Sequence, residues 1–545
     1  MPTFRPSHGL LLLLISVLML PVLAVLASWL PLGAPMGAAL AILHEMAATV
    51  LPEYLGTTVL LCAMVAVGVI AFGLSTAAAV TLFEFPGRRV FEWALLLPLA
   101  MPAYVVAYAY SDFLQYSGPL QTAIRSTLGA EGRMLPEVRS VWGAAWVFTF
   151  ALYPYVYLLA RTALGERASH LMEAARLMGA PLARRMREVA FPLARPAVAA
   201  GVALALMETL ADYGVSSYFG IQTFTAGIYK AWLSMDNRIA AAQLSTLLLV
   251  LVALMLGLEQ HAQKRMRFSA LKGARAGAAD AQAVRLHGVQ ALMAWGLCLL
   301  PILMGFVLPI LFMLRPMLQG WDGLPWERFG QWALNSLRLA GMTSVLAVAI
   351  ALGIAFSLRQ SSHWVPRTAA RLASLGYAIP GAVVVVGLLL PVGWLQERAP
   401  SLQVGYFITA TALGIVWAYL VRFCAVALQS LQSGYARVPH SLDESARMLG
   451  AGPWRIVSQV HWPLLRRSAA AALLLVFVDV MKELPATLVL RPFNSDTLAV
   501  VAYQLARDER LGEAALPCLA LVLVGLLPVV LLSRTLRGAR TPKGD

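Results

Sequence analysis

Charge is scarce in this chain: Asp, Glu, Lys and Arg together make up 13 % of its 545 residues. Soluble domains carry about a quarter of their residues charged, so a string of soluble domains is excluded despite the length. Cysteine is scarcer still. The four residues, Cys62, Cys298, Cys424 and Cys518, each lie in or beside an apolar run with no paired spacing. That excludes a disulfide framework or a thiolate zinc site and leaves core packing as their role. The sequence also lacks a GxxxxGK[ST] phosphate loop, an HExxH metal site, a GxSxG elbow and any cluster of His with Cys. Without a phosphate loop the chain does not cradle nucleotide in that way, and a membrane-embedded enzyme has little to work with.

What is abundant is apolar surface, at 60 % of residues. A bilayer core is about 30 Å thick and a helix rises about 1.5 Å per residue, so runs of about 20 apolar residues are the unit to count. Twelve are predicted, at roughly 10–30, 56–83, 91–110, 141–160, 196–213, 240–258, 289–314, 335–358, 372–391, 407–428, 468–481 and 514–532. The first follows Arg5 and has Ala24 and Ala27 near its end, as a cleaved signal would, but it is longer than a signal core and is read as a retained membrane helix. With the amino terminus in the cytoplasm, most of the 42 Lys and Arg residues fall on cytoplasmic connections, and both termini are cytoplasmic. The net charge of +15 is then a matter of topology, and nucleic acid is not a partner.

The chain is duplicated. The expected organisation is a first half at 1–258, a basic Ala- and Gly-rich cytoplasmic linker at 259–288, and a second half at 289–545, each half with six membrane helices. The third run carries LAMPAYVV around Pro102 and the ninth YAIPGAVV around Pro380. The firmest repeat is polar. EAARLMGAPLARRMREVAFP at 173–192 returns 271 residues later as ESARMLGAGPWRIVSQVHWP at 444–463. Both copies keep the acid (Glu173, Glu444), alanine two on (Ala175, Ala446), arginine three on (Arg176, Arg447), glycine six on (Gly179, Gly450) and proline nineteen on (Pro192, Pro463). A short helix is expected after each acid, with Asp443 and Glu444 at a helix amino terminus. The glycine takes a positive φ. A second amphipathic piece then leads to the proline and a membrane helix. Glu173 and Glu444 are expected to cap helices or touch a partner. His170, His440 and His461, around these loops, read as surface residues.

This spacing resembles the EAA loop of permease subunits in binding-protein-dependent ABC importers. Ser445 in place of the first alanine, and Phe191 and Trp462 in place of leucine, keep small or apolar character. The resemblance implies an all-α integral membrane protein of about 12 transmembrane helices, built as two homologous six-helix type I permease halves. It implies that each loop docks into an ABC ATPase subunit, two in all, which binds ATP and magnesium, and that a separate substrate-binding protein delivers the solute. The setting it implies is a bacterial inner membrane, with no cofactor in this chain and a transport role in place of an enzymatic one.

Beyond each loop, Glu208 matches Asp479 and Asp212 matches Glu483 at the same offset, beside Tyr213 and Lys482. Acids four apart on one helical face, at membrane depth, are candidates for the translocation path. The alternative is that Lys482 and nearby arginines neutralise them and the set only holds helices together. MKELPATLVLRP, ETLADYG and the stretch from Pro86 to Tyr110 resemble the fused two-half permeases of iron(III) ABC importers, an architecture that fused thiamine permeases share. Carboxylates and tyrosines such as Tyr104, Tyr108, Tyr110, Tyr153, Tyr155 and Tyr157 suit a hard cation, although aromatic belt or helix packing is the expected role of these tyrosines. No metal ligand set is assigned. A twelve-helix secondary transporter is the rival class, suggested by Gly87–Arg89, but Phe85 and Pro86 precede that glycine where an acid is wanted, leaving only Glu84 near.

Overall fold

The structure, a computed structural model, describes residues 6–29, 36–129, 131–165, 169–273, 284–361 and 363–538. It is helical throughout apart from one two-residue strand pair. The first half contributes α1 (Pro6–Ala27), α2 (Met36–Ala48), α3 (Leu51–Leu82), α4 (Arg88–Ala94), α5 (Ala103–Leu114), α6 (Pro119–Leu128) and α7 (Val141–Ala163). It continues with α8 (Ser169–Leu177), α9 (Leu182–Arg185), α10 (Phe191–Ala211), α11 (Gly214–Phe219), α12 (Phe224–Tyr229) and α13 (Arg238–Gly273). The second half opens with α14 (Val289–Ile302), α15 (Leu308–Gln319), α16 (Trp326–Gln360), α17 (Trp364–Leu375), α18 (Gly381–Arg398), α19 (Val404–Thr409) and α20 (Ala412–Tyr435). It ends with α21 (His440–Met448), α22 (Pro453–Arg455), α23 (Trp462–Lys482), α24 (Pro485–Leu490), α25 (Leu498–Arg507) and α26 (Leu511–Gly538).

Among the described residues, ten helices are long and apolar enough to cross a membrane, or eleven if the bent pair over Arg88–Leu128 is one span. Of the twelve runs expected, the third is this pair, turned by 88° at the break before Ala103. Pro102, extended at ψ 141, starts the new helix, and Pro380 at ψ 142 does the same for α18. Proline fixes φ and donates no amide, so a helix begins after it more easily than it runs through. The eleventh run is α23, whose 21 residues include Arg466, Arg467, Asp479 and Lys482, which leave no uninterrupted apolar stretch of membrane length. The segment expected as a linker begins as helix, since α13 runs on to Gly273. At its far end β2 (Val284–Arg285) pairs in parallel with β1 (Phe83–Glu84). Residues 274–283 lie outside the described residues.

The chain forms two compact units, each drawing on both halves. One comprises Met1–Ala47, Ile228–Leu249 and Pro325–Val501; in it α1 packs along α17 and α18, and α16, α20 and α23 pack on one another. The other comprises Ala48–Gly227, Val250–Leu324 and Ala502–Asp545. Here α7 is the central post, with α3 and α10 on it, while α15 packs against α5 and α26. Helices in lipid gain little from hydrophobic exclusion and associate through close backbone approach and hydrogen bonds. Gly73 and Gly201 both face Val156 of α7, and a methyl on Gly201 would stand 2.7 Å from the Val156 Cα. The expected packing role of the tyrosines holds: the buried Tyr153 hydroxyl donates to the Leu95 carbonyl at 2.9 Å and Tyr157 to the Glu92 carbonyl at 2.9 Å. Tyr110 reaches the Met304 carbonyl at 2.7 Å. Cys62, Cys298, Cys424 and Cys518 are free thiols, the last three buried.

Candidate functional site

Each repeated loop folds as a foot of two helices. In the first, α8 closes with Gly179 at φ +80; its N–H donates to the Arg176 carbonyl at 2.9 Å, and Ala180 N–H to the Ala175 carbonyl at 3.0 Å. In the second, α21 closes with Gly450 at φ +78 and the matching bonds, Gly450 to Arg447 at 2.9 Å and Ala451 to Ala446 at 3.0 Å. These paired bonds satisfy the last helical carbonyls and need the left-handed backbone that glycine adopts without strain. The turn throws two apolar side chains into the open: Leu177 and Met178 are 85 and 81 % exposed, Met448 and Leu449 90 and 86 %. Pro181 or Gly452 then starts the second helix.

That second helix does not stop where the membrane helix begins. Leu182–Ala211 is a single helical stretch of 30 residues. A widened turn absorbs the proline: Phe191 N–H bonds to the Met186 carbonyl and Trp462 N–H to that of Val457, five residues back in each case. An ordinary turn would drive the Pro192 or Pro463 ring into a carbonyl one turn earlier. The foot is therefore a rigid extension of α10 or α23.

The expectation that Glu173 and Glu444 cap a helix is corrected. Both helices start four residues earlier, at Ser169 and His440, so each acid sits at the fifth helical position, where first-turn amides are out of reach. The first-turn acid of α21 is Asp443, and it is buried. Arg359, at the end of α16, grips it through Nε at 2.6 Å and Nη2 at 3.3 Å. The same guanidinium donates to the carbonyls of Val438 at 3.0 Å and Pro439 at 2.8 Å, closing the corner between α20 and α21. The His461 Nε2 lies 2.8 Å from Asp443 Oδ1, and the Tyr435 hydroxyl 3.1 Å from His461 Nδ1. Burial pushes the Asp443 carboxyl up, but hydrogen bonds from Arg359 and His461 outweigh it and hold its pKa below 3.8. His461 is thus a core residue, not the surface residue expected. His440 is exposed, while the side chain of His170 lies outside the described residues. Arg176 and Arg447 are exposed, and Arg447 also donates to the Gln360 carboxamide.

The acids beyond the feet do not share a helical face. α10 ends at Ala211 and α23 at Lys482, and Asp212 and Glu483 are extended, with ψ 138 and 122. Each carboxylate instead caps the short helix that follows. Asp212 Oδ2 accepts from Val215 N–H at 2.9 Å and Ser216 N–H at 3.2 Å. Glu483 accepts from Ala486 N–H at 2.9 Å and Thr487 N–H at 3.0 Å. Glu483 is buried against Arg422 at 2.8 Å. Asp212 is half-buried, and among the described residues it makes no ion pair; Ala151 stands where an arginine would match Arg422. Tyr213 stacks obliquely on Tyr503, whose hydroxyl lies 2.7 Å from that of Ser217. Among the described residues, no three His, Cys, Asp or Glu side chains are placed to hold a metal ion.

Two copies of one foot, each on a helix that breaks at an acid, find their match in a family profile. That of the binding-protein-dependent transport system inner membrane component fits residues 69–268 and again 346–538, well over half of the chain. The chain belongs to this family. It is a multi-pass inner-membrane permease of an ABC importer, in a family without a catalytic domain whose members work with an ATPase and a binding protein. The permease is 24 % identical over 543 residues to an Fe(3+)-transport system permease protein of Haemophilus influenzae, covering 97 % of this chain and 99 % of the relative. It is 24 % identical over 534 residues to a "probable ABC transporter permease protein" of Sinorhizobium fredii, covering 90 % of this chain and 89 % of the relative. A maltose/maltodextrin transport system permease protein of Vibrio vulnificus matches over 170 residues at 29 %, covering 31 % of the permease and 55 % of the relative.

The groups missed in the sequence were Arg359, Tyr435 and His461, which come from three helices and meet only on folding. A signal existed at one of them: His461 breaks an apolar position that the first copy fills with Ala190. Arg422, lying inside an apolar run, signalled a buried partner in the same way.

Proposed function

We propose that this permease carries iron(III), delivered by a binding protein, and is driven by two ATPase subunits that hold its feet. The coupling reading rests on one observation, the same foot built twice at a 271-residue offset, with the same glycine turn and an apolar tip more than 80 % exposed. Leu177 and Met178, and Met448 and Leu449, enter a groove on each ATPase, with Arg176 and Arg447 beside them and Glu173 and Glu444 touching the partner one turn back. Ala175 and Ala446 supply the turn carbonyls, and Gly179 and Gly450 the left-handed backbone. The helix running through Pro192 or Pro463 transmits the push. ATP and magnesium stay in the ATPases. Their closure brings the feet together and opens the path outward, and hydrolysis resets it. Residues 1–258 and 289–545 are the two halves, with 259–288 between them and both termini in the cytoplasm; the excess of basic residues on those connections supports this orientation.

The path acids are Glu208 and Asp212 with Tyr213, and Asp479 and Glu483 with Lys482. Glu483 already has Arg422, so its part is to hold the break in place. Asp212, half-buried at the matching break and without an ion pair among the described residues, is the better placed of the two to meet a passing cation. Iron is favoured by the full-length match to an Fe(3+)-transport permease and by the affinity of carboxylate and phenol oxygens for hard cations. The test is reconstitution with the ATPase and candidate binding proteins. Iron-loaded protein is expected to stimulate ATP hydrolysis; stimulation by thiamine-loaded protein instead would overturn the substrate.

A further inference from the structure

The unit that carries the first foot has a groove of about 670 Å³ between α3, α10 and α13. Its walls are apolar, formed by residues such as Ile70, Leu74, Val202, Leu206 and Met255. Two ionisable residues line it, Arg195 and His261; both are exposed, neither makes an ion pair among the described residues, and no carboxylate lines the groove. Arg195 lies one turn beyond Phe191, so the basic end of the groove is the end nearest the foot. From there to Leu206 the apolar wall follows α10 for about 16 Å at the rise of a helix.

All three helices are long and apolar enough to span a membrane, so the groove lies at membrane depth. An apolar channel at that depth with one basic end has the chemistry of an acyl chain joined to an anion. A second apolar helix would bury Arg195 without a partner, which costs more than it gains. We propose that this groove binds an anionic phospholipid, with an acyl chain along α10 and the headgroup phosphate on Arg195 and His261. The leaflet is the cytoplasmic one, a detail that rests on the orientation proposed for the feet. A lipid seated here braces α10, the helix that joins the first foot to the break at Asp212.

The test uses the full chain in nanodiscs containing photoactivatable phosphatidylglycerol or photoactivatable phosphatidylcholine, with cross-linked peptides mapped after irradiation. Phosphatidylglycerol is expected to label α3, α10 and α13 about tenfold more than phosphatidylcholine, the gain of one charge-assisted contact. The Arg195→Gln, His261→Gln variant should bring phosphatidylglycerol down to the phosphatidylcholine level. Ala199→Trp, which fills the groove from α10, should reduce labelling by both lipids. Equal labelling of the wild type, or a preference that survives the Arg195→Gln, His261→Gln change, overturns the proposal. The readout needs no ATPase and no solute, so failure of the iron or coupling reading leaves it unmoved.

Discussion

In the second foot the buried carboxylate of Asp443 lies between Arg359 and His461, with Tyr435 behind the histidine. At the offset of 271 residues the first foot has Leu164, Met172 and Ala190, all buried. One backbone shape, down to the two hydrogen bonds of its glycine turn, is built in one copy around an ion-pair network and in the other with buried apolar side chains at the three matching positions. The breaks differ in the same sense: Glu483 has its arginine and Asp212 does not. A buried ion pair seldom outperforms well-packed hydrophobic groups in net stability, because desolvation offsets the attraction. The polar copy is therefore not the stronger one. It differs in having a fixed geometry, a dependence on pH, and a high penalty for losing a single member.

The widest break in this comparison comes where the feet are alike. A β-branched residue at φ near +80 is strained, so Gly179→Val with Gly450→Val should abolish solute-stimulated ATP hydrolysis while the permease still inserts. Undiminished stimulation would remove the coupling role. Next are the single truncations. Asp443→Ala, which strands Arg359, and Arg422→Ala, which strands Glu483, should each cost about 3–5 kcal/mol, read as a fall in melting temperature of the purified permease. Met172→Ala, the apolar counterpart, should cost about 2–5 kcal/mol through its cavity. Whether the network earns anything net is read from a combined variant, Arg359→Leu, Tyr435→Leu, Asp443→Met and His461→Ala. With Tyr435, Asp443 and His461 changed to the residues of the first foot and the stranded Arg359 made apolar, stability should stay within about 1 to 4 kcal/mol of wild type, well short of the sum of the single losses.

The smallest effect is the pH dependence. The folded pKa of Asp443 is depressed, so its contribution is present above the ordinary 3.8 and is lost as pH falls through the lower folded value. Hydrogen exchange at α21 should therefore quicken below about pH 3.8 while exchange at α8 does not follow. Asp443→Asn should flatten the difference; parallel acid responses in the two feet would show that the network is not its source.

Much of this was legible in the sequence because it is local and periodic. Apolar runs gave the spans, and the glycine six residues after each acid gave both left-handed turns. Pro102 and Pro380 marked where the paired helices begin. What was not legible depends on groups distant along the chain. Period alone extended α10 and α23 through Asp212 and Glu483, because nothing in a four-residue spacing reveals that a carboxylate will turn back to cap the next helix. The sequence places Asp443 and Glu444 alike at a helix amino terminus; only the arrival of Arg359 from 84 residues away separates the buried acid from the exposed one.

The packing of α1 on α17 and α18 also governs how the protein is made. α1 leaves the ribosome more than 300 residues ahead of its partners at residues 364–398, so it waits in lipid while the chain between them is synthesised. Contacts that distant are slow to form and leave the early helix open to wrong partners. α15 in turn joins α5, made earlier, and α26, made later. Neither half of the chain can finish folding by itself, and keeping both on one polypeptide guarantees that each helix meets its partner at a concentration fixed by the chain and not by expression.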